Sequence, residues 1–284
     1  MNISKIASLN GGQDGAIYGK FLFRFDHLGR CDVYSTDAFE QNSNFSALSS
    51  FTLDKTDLIV PHGNAVVFGN EFYAADDEFP LLYNNIYNNY GDKADKKCGT
   101  ACVYRIQRNG MSFTSTLVQI IEVGFTDEKG LWRSEGETED VRPYGNFVVD
   151  NDNSRLYAFV MRDADRKTRY FSFKLPKLSD GKLDTEYGVN RVKLTQDDIV
   201  AYFDVPYHNF VQGACFYGGK VYSVEGFHES IHPAVRIIDP DKKEQTLYFD
   251  LYEAGYTHEA EFVDFYKGEC IYGDAHGNYF KLEF

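Results

Sequence analysis

Two glutamates, Glu225 and Glu261, stand beside short apolar runs in a chain of 284 residues, and Asp14, His62, Asn64, Asn146, Arg162 and Gln212 occupy comparable points elsewhere. Two carboxylates brought into one concave site can have their pKa values driven apart, so that one donates a proton while the other accepts one or attacks. Hydrolysis of a sugar bond needs that division of roles. Glu225 paired with Glu261 or Asp14 would supply it. The amides, the imidazole and Arg162 suit the binding of a hydroxyl-rich or amine-bearing molecule. Trp132, the only tryptophan, would add a flat face for a sugar or planar ring.

Sharper motifs fail on local grounds. HESIH, His228 to His232, matches the H-E-x-x-H zinc pattern, but that chemistry needs a helix to put both histidines on one face. Gly226 and Pro233 bracket the motif and its flanks read as strands. DNDNSR has calcium-loop spacing at Asp150, Asp152 and Ser154, yet Arg155 replaces the required glycine and Met161 the bidentate acid. It reads as a hairpin turn with Asx hydrogen bonding. Cys98 and Cys102 have no second pair, and no nucleophile elbow, dinucleotide or Walker loop is present. Both cofactor and metal are left open, with His62, His228, His232 and Glu261 as the residues to test for a metal.

The elements that must position these side chains repeat. QDGAIYGKFLFRF, HGNAVVFGNEFYAADD, YGNFVVDNDNSRLYAFVMRD, FVQGACFYGGKVYSVEGF and EAEFVDFYKGECIYGD share one plan: a small or polar pair, an apolar run, a turn and a second run with an aromatic step. The steps are Leu22-Phe23, Phe72-Tyr73, Leu156-Tyr157, Val221-Tyr222 and Ile271-Tyr272. Further strand-like runs follow each hairpin, giving four strands per unit. The expected fold is all-β, a five-bladed β-propeller forming a single domain over residues 1–284. Its last unit is one strand short, so the N-terminal ISKIASL should complete that blade and close the ring. One short helix is expected around LTQDDIVAYF, capped by Thr195.

In a propeller the first strand of each blade lines the axis. Asp14, His62 with Asn64, Asn146, Gln212, and Glu259 with Glu261 would therefore converge at one channel mouth. Asp26, Asp76, Arg162, Glu225 and Asp274, at the ends of the second strands, would ring its rim. Two long segments, AADDEFPLLYNNIYNNYGDKADKKCGTAC and GFTDEKGLWRSEGETEDVRP, would roof it or receive a protein partner.

The formal charge of −14 and pI near 4.9 argue against nucleic acid and anionic membranes as partners. No stretch has the length of a signal peptide core or a membrane span, and five cysteines lack a disulfide spacing, so a cytoplasmic protein is expected.

VQGACFYGGKVYSVEG resembles the Q-G-L-x-F-x-x-G-x-L-Y-x-S-T-G hairpin of the plant and bacterial glutaminyl cyclotransferases, and EAEFVDFYKGECIYGD is similar to their acidic hairpin. The chain carries Ala214 where that family has leucine and His258 where it has asparagine. The resemblance implies five blades, with Gln212 and Glu261 facing the channel. The plan is also similar to that of proteins from anaerobic Firmicutes. The expected function is binding of a small polar molecule at the channel mouth, with a glycoside-acting or cyclotransferase-like enzyme and a protein-interaction scaffold as alternatives.

Overall fold

The computed structural model describes residues 1–41, 45–86, 99–123, 142–162 and 167–284. After a first strand, β1 (Asn2–Ser8), the chain builds four meanders. Blade 1 is β2 (Gly15–Tyr18), β3 (Phe21–Phe25), β4 (Arg30–Ser35) and β5 (Ser49–Thr52), with a short helix α1 (Asp37–Gln41) before β5. Blade 2 is β6 (Val66–Phe68), β7 (Leu82–Ile86), β8 (Thr100–Asn109) and β9 (Ser112–Val123). Blade 3 holds β10 (Arg142–Asp150), β11 (Arg155–Arg162), β12 (Lys167–Lys174) and, after an excursion through β13 (Lys182–Asp184) and β14 (Val189–Leu194), β15 (Ile199–Pro206). Blade 4 is β16 (Val211–Tyr217), β17 (Lys220–Glu225), β18 (Ala234–Asp239) and β19 (Glu244–Asp250). Blade 5 is β20 (Ala260–Tyr266), β21 (Glu269–Asp274) and β22 (Asn278–Glu283), and β1 pairs antiparallel with β22 to complete it. The inner strands β2, β6, β10, β16 and β20 succeed one another around the axis, and β20 returns to β2.

Period-two alternation explains the ring. On β3, Phe21, Phe23 and Phe25 enter the gap with blade 2, while Leu22 enters the gap with blade 5. Because both faces of a blade are covered, its strands are apolar on both sides. Each of the five gaps holds one buried cluster. In the first, Phe23 meets Phe68, Phe79 and Phe113 edge-on at 5.3 to 5.6 Å. Truncating such a ring to alanine costs about 3–5 kcal/mol.

Turns are set locally. Asp26 Oδ1 accepts the amides of Leu28 and Arg30, and Asp274 Oδ1 accepts those of His276 and Asn278. Gly29 and Gly277 take the left-handed conformation these D-x-x-G turns require, with φ of 82° and 80°. Two of the expected rim carboxylates are thus committed to their own turns.

Three expectations are corrected. The second strand of blade 2 is LYNNI with the step Leu82-Tyr83, not Phe72-Tyr73. Phe72 and Tyr73 are exposed whereas Leu82 and Tyr83 are buried, because the acid-rich stretch around Asp76 and Asp77 cannot enter a gap between blades. Asp76 accordingly lies in the first turn of the blade, away from the rim. The sequence around Thr195 forms one 3-10 turn, Gln196–Asp198, in which Asp198 Oδ2 accepts the Thr195 amide at 2.7 Å, and the β-branched and aromatic residues after it continue as β15. Strands β13 and β14 add a feature for which no expectation was stated. β14 pairs in parallel with β9, so a segment of blade 3 adds to blade 2 and makes a six-stranded sheet.

Candidate functional site

One polar residue from each blade reaches the axis: Asp14, Asn64, Gln212 and Glu261 near the start of the inner strand, and Asn146 midway along β10. The backbone aims them. Between β16 and β17 the register passes from Val211–Glu225 to Gly213–Val224, leaving Gln212 as the extra residue of a bulge. Glu261 is the extra residue at the matching point of blade 5. A bulge re-aims one side chain without ending the ladder. Gly213 follows because the blade 5 backbone passes against it. A Cβ there would lie 2.7 Å from the Glu261 carbonyl oxygen.

These side chains join across blades. Asn64 Nδ2 donates to Gln212 Oε1 at 2.8 Å and to the Val211 carbonyl at 3.1 Å. Gln212 Nε2 donates to Glu259 Oε1 at 2.5 Å, and Gln13 Nε2 to Glu261 Oε1 at 3.1 Å. Deepest is Asp14, whose Oδ2 accepts the amides of Val66 in blade 2 at 3.1 Å and Ala214 in blade 4 at 3.3 Å. Inner strands are edges, and these are amides that no ladder partner satisfies. Asp14 therefore spans the axis as a strut.

Several buried polar atoms in this layer have no partner among the described residues: Asp14 Oδ1, Asn64 Oδ1, both amide atoms of Asn84 and of Asn146, and Glu261 Oε2. Beside Glu261, in the gap between blades 1 and 5, Arg24 Nε and Nη1 and the Tyr279 hydroxyl are likewise unpartnered. Arg24 is buried over the rings of Phe262 and Tyr279, at 5.6 and 5.7 Å, and its Nη2 donates to the Gly12 carbonyl at 2.7 Å. It shares the face of β3 that carries Leu22.

Burial dominates the electrostatics. It pushes the Asp14 and Glu261 carboxyls well above the usual range, against the pull of the Arg24 charge on both, and Glu259 repels the Glu261 charge further. Glu259, half-buried at the mouth, is raised less, again by desolvation. Burial and the neighbouring His27 lower His62 to about 4, so it is a neutral imidazole at neutral pH. Burial thus favours the protonated form of the deepest acids, a form that donates as well as accepts hydrogen bonds.

Glu225 belongs elsewhere. In the gap between blades 3 and 4 its Oε1 accepts Arg236 Nη2 at 2.7 Å and its Oε2 the Asn209 amide at 2.9 Å, while Arg236 also donates to the Tyr207 carbonyl. Burial raises Glu225 despite this partner. The structure thus brings Glu261 and Asp14 together and leaves Glu225 in a separate buried ion pair. His62 joins the mouth beside His27, with ring centroids 6.3 Å apart. Trp132 and the Arg162 side chain lie outside the described residues.

All seven histidines fall on connections of one face, the face at which the inner strands begin. HESIH is a tight turn between β17 and β18: Ile231 and His228 form an isolated bridge, and His232 Nδ1 bonds Asp250 Oδ2 at 2.8 Å. Among the described residues no group of three or more ligating side chains could hold a metal. DNDNSR is an Asx turn, with Asp150 Oδ1 accepting the amides of Asp152 and Asn153. No helix among the described residues is long and apolar enough to cross a membrane. Reading by sequence missed Arg24 and Asn84. A lone arginine inside FLFRF and the paired amides of LYNNI were the available signals.

No family model and no curated protein sequence matches the chain. Among solved structures it is similar to Myxococcus xanthus glutaminyl cyclase, with 12% identity over 100% of this chain and 94% of that one and a TM-score of 0.49. It is also similar to XC5397, a gluconolactonase from Xanthomonas campestris, with 10% identity over 98% of this chain and 88% of that one and a TM-score of 0.44. At such identities a likeness speaks to fold alone, and the propeller assignment stands on the five sheets themselves.

Proposed function

We propose that the protein binds a small hydroxyl- or amine-bearing molecule at the channel mouth, on the face that carries the histidines. One observation carries this reading: polar side chains from all five blades converge there, and Asp14, Asn64, Asn146 and Glu261 keep buried atoms without a partner among the described residues. A buried polar atom left unmatched costs about 1–3 kcal/mol. A ligand presenting both donors and acceptors offsets that cost. Gln13, His62, Gln212 and Glu259 stand above as the entrance. The negative charge of the chain disfavours polyanions.

A catalytic use of the same site rests on Glu261, an acid whose protonated form is favoured by burial, beside a second carboxyl group, Glu259. Glu261 would donate the proton and Glu259 accept one. Use of the face by a protein partner is the remaining alternative.

Titration of a panel of sugars and amines by calorimetry tests the reading. Asn146→Ala and Gln212→Ala should each weaken binding about tenfold or more, the worth of one or two hydrogen bonds, with unchanged melting. Equal affinity in both variants would remove the channel as the site. For the catalytic use, Glu261→Gln should abolish turnover while retaining substrate, and unchanged turnover would end it.

A further inference from the structure

The opposite end of the axis holds a second, chemically different space. A cavity of about 160 Å³ is walled by the last residues of all five inner strands, among them Ile17, Val67, Val149, Phe216 and Asp264. It lies on the far side of the Asp14 strut, since Val67 and Cys215 directly follow the two residues whose amides Asp14 holds.

Asp264 is the only charged side chain in this wall. Its Oδ2 accepts the Ile17 amide at 2.7 Å and its Oδ1 the Phe265 amide at 2.8 Å, which fixes the carboxylate and leaves a lone pair on each oxygen. Among the described residues no lysine or arginine pairs with it. Ile17, Phe216 and Asp264 are half-buried rather than sealed, so a small molecule can reach them.

We propose that this cavity binds a short alkylammonium ion, its ammonium on Asp264 and its alkyl chain against Ile17, Val67, Val149 and Phe216. The volume is that of roughly five waters at about 30 Å³ each, which admits a body of a few carbons. A carboxylate set beside Ile17, Val67, Val149 and Phe216 favours a ligand with one cationic end, because the charge pairs with Asp264 while an alkyl body covers those side chains. Burial raises Asp264 to about 7, so the cation competes with a proton and binding releases one. The other titratable groups at this wall are the phenol of Tyr18 and the thiols of Cys215 and, behind it, Cys270; burial pushes both thiols up, and they stay neutral. Only Asp264 then sets the pH dependence.

The test uses n-propylammonium chloride as probe, with calorimetry and ligand-observed NMR on the full chain. Expected is saturable 1:1 binding at pH 8, weaker by at least about tenfold at pH 5.5 and lost in Asp264→Asn. Val149→Phe, which fills the cavity and keeps the acid, should also abolish binding. Asn146→Ala and Gln212→Ala should leave it unchanged, which separates this site from the channel mouth. No saturation at pH 8, retention in Val149→Phe, or loss in the two channel variants would each overturn the proposal.

Discussion

The carboxylate of Asp14, in blade 1, accepts the main-chain amide of Ala214, in blade 4, at 3.3 Å. Blades 1 and 4 are not neighbours in the ring, so this bond crosses the axis, and the same oxygen holds Val66 of blade 2. Asp14→Ala would leave two buried amides without acceptors, at about 1–3 kcal/mol each. The expected loss is about 2–5 kcal/mol in urea unfolding at pH 7. Asp14→Asn, whose amide oxygen still accepts both, should lose less than half as much. Equal losses would show that neither the side chain's volume nor the two accepted hydrogen bonds account for what Asp14 contributes.

The ion pair of Glu225 and Arg236 should be structural. Arg236→Met leaves a carboxylate buried without its partner, which costs about 3–5 kcal/mol. Part of that should return at pH 5, where Glu225, already raised by burial, takes up a proton. The double variant Glu225→Leu with Arg236→Met should be more stable than Arg236→Met alone. A double variant as unstable as the single one would count against an uncompensated charge as the cause.

The dependence of stability on pH should be unusual. Asp264 is raised to about 7 in the folded protein. A raised carboxyl binds more protons folded than unfolded, so its contribution is full below pH 4 and disappears as pH rises through 7. The slope approaches about 1.4 kcal/mol per pH unit for that one group. Asp14, Glu259 and Glu261 act in the same direction, while lowered His62 acts oppositely, gaining stability as pH rises from about 4 towards 6.5, and His208, lowered by burial, acts in the same sense as His62. Asp264→Asn should flatten the decline between pH 5 and 8 whatever its fixed cost, as read from urea midpoints across that range. An unchanged slope would refute the assignment.

Gly213→Ala should destabilise by about 1–3 kcal/mol through overpacking, because its Cβ would meet the Glu261 carbonyl, main chain that cannot swing aside. It should also weaken ligand binding at the mouth, since relief requires Glu261 to move. Gly219→Ala, in the open turn of the same hairpin at φ 78°, should cost about 1 kcal/mol or a little more through backbone strain and leave binding intact. Similar binding losses in both would mean that general destabilisation is the cause.

Much of the ring could be read directly because it is local. The aromatic step in β3, β11, β17 and β21 and the apolar runs of the inner strands follow from burial on both faces, and β1 was expected where it lies. Asn64, Asn146, Gln212 and Glu261 could be located because they occupy one point of a repeated unit. Glu225 occupies an equally regular point, but its role is set by Arg236, a neighbour only once β17 and β18 pair. Arg24 was passed over because a charge within an apolar strand looks like a solvent-facing residue until both faces of the blade are known to be covered. The strap formed by β13 and β14 depends on a free edge in another blade, which no local pattern records. The same limit applies to loop surgery: removing residues 82–97 to test a protein partner would delete β7, and the cut has to begin after Ile86.

The pairing of β1 with β22 also sets a timetable. Strand β1 leaves the ribosome on the order of tens of seconds before its partner at residues 278–283. Through that interval β1 is an unmatched strand near four finished meanders, any of which could recruit it at an outer edge. Lys5 and the exposed Asn2 and Ser4 make such mispairing unrewarding, so closure waits for the one edge that also receives Ala7 and Leu9 into an apolar gap.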